Sequence, residues 1–310
     1  MQKHPSLSMT QTNASRAKVT SSTSAVSAER GGTWRMVLAM LLSGTIGLLV
    51  MESGLPVMLV VWLRCLLGAL GLAAWVAYSG QWQKPSRAEW LWLLLGGLAL
   101  VFNWVCLFTA YRYSSIAVAT VVYHVQPFIL LLLAAALGRE ALPVRKQPWL
   151  LLALLGVALS SGMVHADQSS SWAGVLLTLA AASLYAVATL ATQQLKRLAP
   201  AQIAMLQMVM GVLALAMPAW QLVQDAQFTA KAWGAVAVLG LVHTAWMYTL
   251  MYSAFQRLSA QAIAGLSFIY PVVAVLVDLL WFGHHPALIQ ALGMVLILMA
   301  VWAYRRQKIE

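Results

Sequence analysis

This chain of 310 residues is 62% hydrophobic and only 9% charged, with a mean hydropathy of +0.80. A soluble domain carries roughly a quarter charged residues, so this chain cannot cover a water-facing surface, and lipid is its expected solvent. The net charge of +11 would suit a nucleic-acid binder, but the positions of the charges argue against that partner.

Residues 1–33 are rich in Ser, Thr and Ala, with Lys3, Arg16, Lys18 and Arg30 against one acid, Glu29. That is the composition of a disordered tail. No apolar run precedes Trp34, which argues against a secretory signal peptide; the basic, acid-poor leader leaves a transit peptide as the open alternative. A spanning helix needs about 20 mostly apolar residues. Ten stretches follow that meet this need. The first five cover about 34–52, 56–79, 89–111, 115–137 and 147–164; the second five cover about 172–194, 201–223, 232–254, 259–282 and 287–304. Residues 305–310 form a short C-terminal tail. The connections are short and leave no room for a soluble catalytic domain.

With ten spans, both termini and the even-numbered turns share one side of the membrane. Of the 19 Lys and Arg, all but Arg64, Arg112 and Lys231 fall on that side. Such asymmetry is the positive-inside signal. The basicity is topological, and both termini are expected to be cytoplasmic in a multi-pass protein of a plasma membrane, of the bacterial inner-membrane kind. The two cysteines, Cys65 and Cys106, fall inside spans and imply neither a disulfide framework nor a metal site.

A shift of 144 residues superposes landmarks of the two halves: Pro56 on Pro200, Gly96 on Gly240, Ala110 on Ala254, Ser115 on Ser259 and Pro127 on Pro271. Pro56 and Pro200 each open the second helix of a half; Pro127 and Pro271 each lie well inside the fourth. Five spans is an odd number, so the halves cross the membrane in opposite senses. The expected fold is an all-α membrane protein of ten transmembrane helices, arranged as two inverted five-helix repeats over 34–164 and 172–304. Inverted repeats are common in secondary transporters, where one bundle rocks against another around a fixed site.

Several short motifs carry a resemblance. They are Leu63-Arg64 in the second span, Ala110-x-x-x-Ser114-Ser115-x-Ala117 leading to Pro127, and Leu137-Gly138-Arg139-Glu140 after the fourth span. With them the chain resembles the EamA-type family of the drug/metabolite transporter superfamily over about 34–304. The second half departs, with His284 and His285 where a Glu is expected. The resemblance implies a transporter fold and export of metabolites or small organic molecules, with no cofactor; it names no substrate.

The candidate site follows from cost. A proline inside a helix removes one backbone donor and frees the carbonyl four residues back. Pro127 and Pro271 free those of Tyr123 and Ser267, each about 18 Å into its span, and matched interruptions of this kind point to a transport site and to gating. Beside them lie Tyr123, His124, Gln126, Ser267 and Tyr270. Helical stripes add Tyr185, Thr189 and Thr192 in the sixth span and Thr244, Tyr248 and Tyr252 in the eighth; Asn103 and Trp104 lie mid-span in the third. Polar residues in lipid face the bundle interior. There they either bond neighbouring helices or line a cavity suited to an apolar or aromatic solute. Arg64 is the most expensive residue, at about 2.5–3.5 kcal/mol near a helix centre. A substrate carboxylate, an internal partner or snorkelling would offset that. Asp278 is the only acid well inside a span. His124, His243 and Asp278 are the candidates for proton coupling.

An intramembrane enzyme needs an oriented nucleophile or a metal, and no such motif is present. No phosphate-binding Gly-x-x-x-x-Gly-Lys-Ser/Thr loop occurs either. The sequence therefore reads as a secondary exporter of small organic metabolites, such as amino acids or related apolar or aromatic compounds, working by alternating access. The alternative is a membrane sensor or scaffold that transports nothing. The partners are a small-molecule substrate and the bilayer; oligomeric state is left open.

Overall fold

The computed structural model describes residues 29–110, 113, 119, 122–141, 144–160, 172–282 and 287–307. Among these there is no strand. The helices are α1 (Glu29–Ser53), α2 (Val57–Ser79), α3 (Arg87–Ala110), α4 (Gln126–Ala136), α5 (Gln147–Ser160), α6 (Trp172–Gln194), α7 (Pro200–Val223), α8 (Ala230–Phe255), α9 (Ala260–Ser267), α10 (Ile269–Phe282) and α11 (Leu288–Arg306). Six of them, α1, α2, α3, α6, α7 and α8, are long and apolar enough to cross a membrane.

The other apolar helices are shorter, and two matched breaks explain part of that. The chain leaves helical geometry at residues 124–125 and again at residue 268. Pro127 stands in the first turn of α4, and Pro271 in the first turn of α10. A proline removes one backbone donor and crowds the carbonyl four residues back, which favours a break there, although α7 continues through Pro218. At these two positions the expected kinks are full interruptions, and the ninth apolar stretch is divided into α9 and α10. Proline also sits at the starts of α2 and α7, with Pro56 as the cap of one and Pro200 as the first residue of the other, where its missing N–H costs nothing.

Large apolar side chains project outward from the bundle, among them Leu70, Trp75, Leu213, Met217, Trp220 and Leu280. Such a surface suits lipid and not water. Trp34, Trp82, Trp90 and Trp172 stand exposed at span ends, where tryptophan anchors a helix in the membrane interface.

The strongest helix pairs are α3 with α6, α5 with α11, and α2 with α7; α1 pairs with α8 and α4 with α9. Exchange the first five apolar stretches for the second five and this pattern returns to itself. Glycines set the closest approaches. A Cβ at Gly240 would lie 2.5 Å from Leu67 Cβ, one at Gly96 would lie 2.7 Å from the Gln207 amide, and one at Gly211 would lie 2.9 Å from Cys65 Sγ. Cys65 thus packs at the α2–α7 crossing, and both cysteines are free thiols.

Candidate functional site

Most of the polar residues singled out from the sequence meet in one aromatic cluster. Tyr123 begins it, just before the break at residues 124–125. Asn103 of α3 donates to the Tyr123 hydroxyl at 3.0 Å and to the Ala181 carbonyl of α6 at 2.7 Å. The Tyr123 ring lies 6.2 Å from Tyr185 of α6. His124 follows, stacked on Tyr270 of α10 at 5.4 Å with an interplanar angle of 5°. Trp104 of α3 meets Tyr248 of α8 edge-on at 6.3 Å, and Tyr248 meets Tyr252 at 5.4 Å. Tyr123 also lies within electrostatic reach of Tyr248 and Tyr270.

Two of these contacts join residues 144 apart, Trp104 with Tyr248 and His124 with Phe268. Equivalent positions of two repeats touch only where their equivalent faces meet. The cluster therefore sits at the junction between the halves, beside both helix breaks.

Arg64 closes the cluster on the α2 side. It is 4% exposed. Its Nε donates to Thr244 Oγ1 at 3.1 Å, and its guanidinium carbon stands 5.4 Å from the Trp104 ring centre. Burying an ion in a protein costs several kcal/mol. A cation–π contact contributes about 2 kcal/mol when desolvated, and a hydrogen bond from a charged group about 1.5–3 kcal/mol. These contacts offset part of the cost and leave the charge unneutralised. Neither ion pair among the described residues, Arg197–Glu89 and Lys231–Glu52, involves Arg64.

The partner of Arg64 is placed by a π-helical turn, Leu241–Trp246, inside α8. Its wider pitch shows in two long-step bonds. Thr244 donates to the Leu239 carbonyl at 2.8 Å, and His243 Nδ1 lies 3.3 Å from the Val238 carbonyl. His243 Nε2 lies 2.7 Å from Thr45 Oγ1, in the break of α1 at Gly44-Thr45. Thr45 Oγ1 also lies 2.8 Å from the Leu42 carbonyl, and the tautomer of the His243 ring sets which partner donates. Single π turns concentrate at functional sites. This one turns His243 and Thr244 toward α1 and α2 together.

Other candidates stay within their own helices. Thr189 donates to the Tyr185 carbonyl, and Ser267 to the Ala264 carbonyl. Gln126 is buried beside Pro127. The side chain of Asp278 lies outside the described residues, as do Ser114, Ser115, Ala117, His284 and His285. Two participants escaped the sequence reading. Gln207 of α7 is fully buried and accepts from the Tyr252 hydroxyl; a mid-span Gln in an apolar helix was its only sequence signal. Phe268 carries no chemistry that a sequence reading would notice.

A second polar region lies at the end of the bundle that carries the C-terminus. It encloses about 450 Å³ among residues that include Arg139, Glu140, Lys196 and Arg257. Burial and the neighbouring Arg35 push the Arg257 guanidinium down from its usual value. Glu140 has a defined task there. Its carboxylate accepts from the backbone N–H of Ala260 at 2.6 Å and of Gln261 at 3.2 Å, while Ser259 accepts from that of Ala262 at 3.1 Å. Three of the unpaired donors at the α9 N-terminus are thereby satisfied. Glu140 ties the turn after α4 to the start of α9. Its counterpart 144 residues on is His284.

Comparison with known proteins agrees with this architecture. A solved crystal structure, 19% identical in sequence, superposes with a TM-score of 0.77, covering 89% of this chain and 98% of the other; it shares the fold. A protein of Bacillus subtilis (strain 168) described as "Uncharacterized transporter YxxF" is 34% identical over 280 residues, 88% of this chain and 89% of that one. The model of the EamA-like transporter family matches twice, over residues 31–162 and 172–305. Two family repeats on an all-helical, multi-pass scaffold, with a relative at that identity, establish that this chain belongs to the EamA-like transporter family.

Proposed function

We propose that this protein is a secondary transporter that exports small organic solutes of apolar or aromatic character by alternating access. It crosses the membrane ten times, as two inverted repeats of five, with both termini in the cytoplasm. The observation that carries this reading is the meeting of Trp104 with Tyr248 and His124 with Phe268 beside the two helix breaks. A site on the junction of two repeats is exposed to either side when one repeat rocks on the other. The substrate-binding set is Asn103, Trp104, Tyr123, His124, Tyr185, Tyr248, Tyr270 and Arg64. The breaks before Pro127 and Pro271 act as hinges, and His124, His243 and Asp278 are the groups through which protons would couple.

The test is untargeted efflux from liposomes holding the purified protein and a mixed pool of metabolites, read by mass spectrometry with and without a pH gradient. Selective loss of some solutes is expected. Correctly inserted protein that moves nothing from a broad pool would favour a sensor or scaffold. In the same assay the double change Pro127→Ala, Pro271→Ala is expected to slow efflux about tenfold at unchanged expression. Equal losses of both would assign the prolines to folding. Topology is checked separately. Reporters fused after residue 310 and near residue 168 are expected on opposite faces, and agreement between them contradicts ten spans.

A further inference from the structure

Arg64 is a buried cation whose neutralising partner is missing from the described residues. Thr244 takes one of its five donors and the Trp104 face takes its charge from one side. Its terminal nitrogens, Nη1 and Nη2, have no acceptor among the described residues. Those two nitrogens form the fork that matches a carboxylate in bidentate fashion. Among the described residues no acid stands beside it, and the Tyr248 hydroxyl lies within electrostatic reach of Arg64. The rings of Trp104, Tyr248, Tyr123 and Tyr185 continue away from the guanidinium.

We propose that Arg64 is the anion-binding group of the transport site, and that the transported solute is an organic carboxylate with an aromatic or apolar body. The proposal rests on the transport reading above and narrows it. The solute's carboxylate occupies the free edge of the guanidinium, and its body lies along the tyrosine and tryptophan rings. An ammonium group on the same solute meets no described carboxylate in the cluster, so the amine adds less than the acid. Among the described residues nothing neutralises Arg64, so the carboxylate of a bound solute balances that charge, and the filled site crosses between the two faces at lower cost.

The experiment uses full-length protein in liposomes at pH 7.5 and four matched probes: 3-phenylpropanoate, its primary amide, phenylalanine and 2-phenylethylamine, with protein-free liposomes as the permeation control. Protein-dependent movement of 3-phenylpropanoate is expected to exceed that of the other three by tenfold or more. Arg64→Gln is expected to abolish that preference, and Arg64→Lys to keep part of it. Because Arg64 variants can fail to fold, the wild-type protein is also read by thermal stabilisation, where the carboxylate raises the melting temperature and the amide does not. Equal movement or equal stabilisation by carboxylate and amide overturns the proposal, as does faster movement of phenylalanine or the amine, or an Arg64→Gln protein that keeps its carboxylate preference. Failure of all four probes while other solutes leave the liposomes overturns this proposal alone. Failure of every solute overturns the transport reading with it.

Discussion

Replacing Glu140 by alanine is expected to loosen the start of α9 about thirty-fold. Its carboxylate receives two backbone N–H groups, at 2.6 and 3.2 Å, at a helix N-terminus. A hydrogen bond to a charged group contributes about 1.5–3 kcal/mol, and a negative charge at the positive end of a helix adds about 0.3–1 kcal/mol. The turn is partly open to solvent, so a net loss of about 2 kcal/mol is expected, and that is roughly thirty-fold in an opening equilibrium. Hydrogen exchange at the amides of Ala260 and Gln261 reads it directly. Glu140→Gln keeps an acceptor without the charge, so exchange there should rise only a few-fold. Unchanged protection in the alanine protein would remove the cap from consideration. Because this contact joins the two repeats, efflux is expected to slow in the same order, alanine more than glutamine.

Gly156→Ala is expected to damage the fold strongly. A Cβ there would lie 2.7 Å from the Gly293 carbonyl oxygen, 2.8 Å from Ile297 Cγ1 and 3.0 Å from Ile297 N. Two of those three atoms are backbone, so no rotamer change relieves the clash and α5 must move off α11. Overpacking costs about 1–3 kcal/mol, and in lipid helix association depends on close packing of small residues, with no hydrophobic force to restore it. A loss near 3 kcal/mol is expected, with a clearly lower unfolding midpoint in detergent. Gly47→Ala and Gly234→Ala supply the comparison, since a Cβ at either meets nothing within 4 Å. Both should be neutral or slightly stabilising, because alanine suits a helix interior better than glycine by about 0.5–1 kcal/mol. Equal losses at 156 and 234 would show that the crossing is less tight than its geometry implies.

Composition and the 144-residue offset were enough to read an all-helical, multi-pass scaffold of two repeats from the sequence, because lipid imposes simple requirements on length and polarity. The cluster was legible where its members are polar. Tyr123, His124, Asn103, Arg64 and Tyr248 stand out in apolar helices and do meet. What stayed hidden depends on three-dimensional neighbours. The π turn at Leu241–Trp246 has no residue signature; it follows from packing Gly240 against Leu67 and Thr244 against Gly68. Phe268 looks like any lipid-facing ring until His124 is placed against it. Glu140 reads as a turn residue because the helix it caps begins 120 residues later.

The contacts of Trp104 with Tyr248 and of His124 with Phe268 bear on why the two halves share one chain. In a pair of identical five-helix subunits, a residue on the symmetry axis meets its own copy, and an arginine beside the axis comes twice. Two guanidinium groups would then repel each other in the same apolar pocket. Fusion of the duplicated gene lifts that constraint. Indole faces phenol, imidazole faces phenyl, and the position equivalent to Arg64 is the buried, uncharged Met208. Among the described residues the cluster holds one arginine per molecule, a number no homodimer of half-length subunits can adopt.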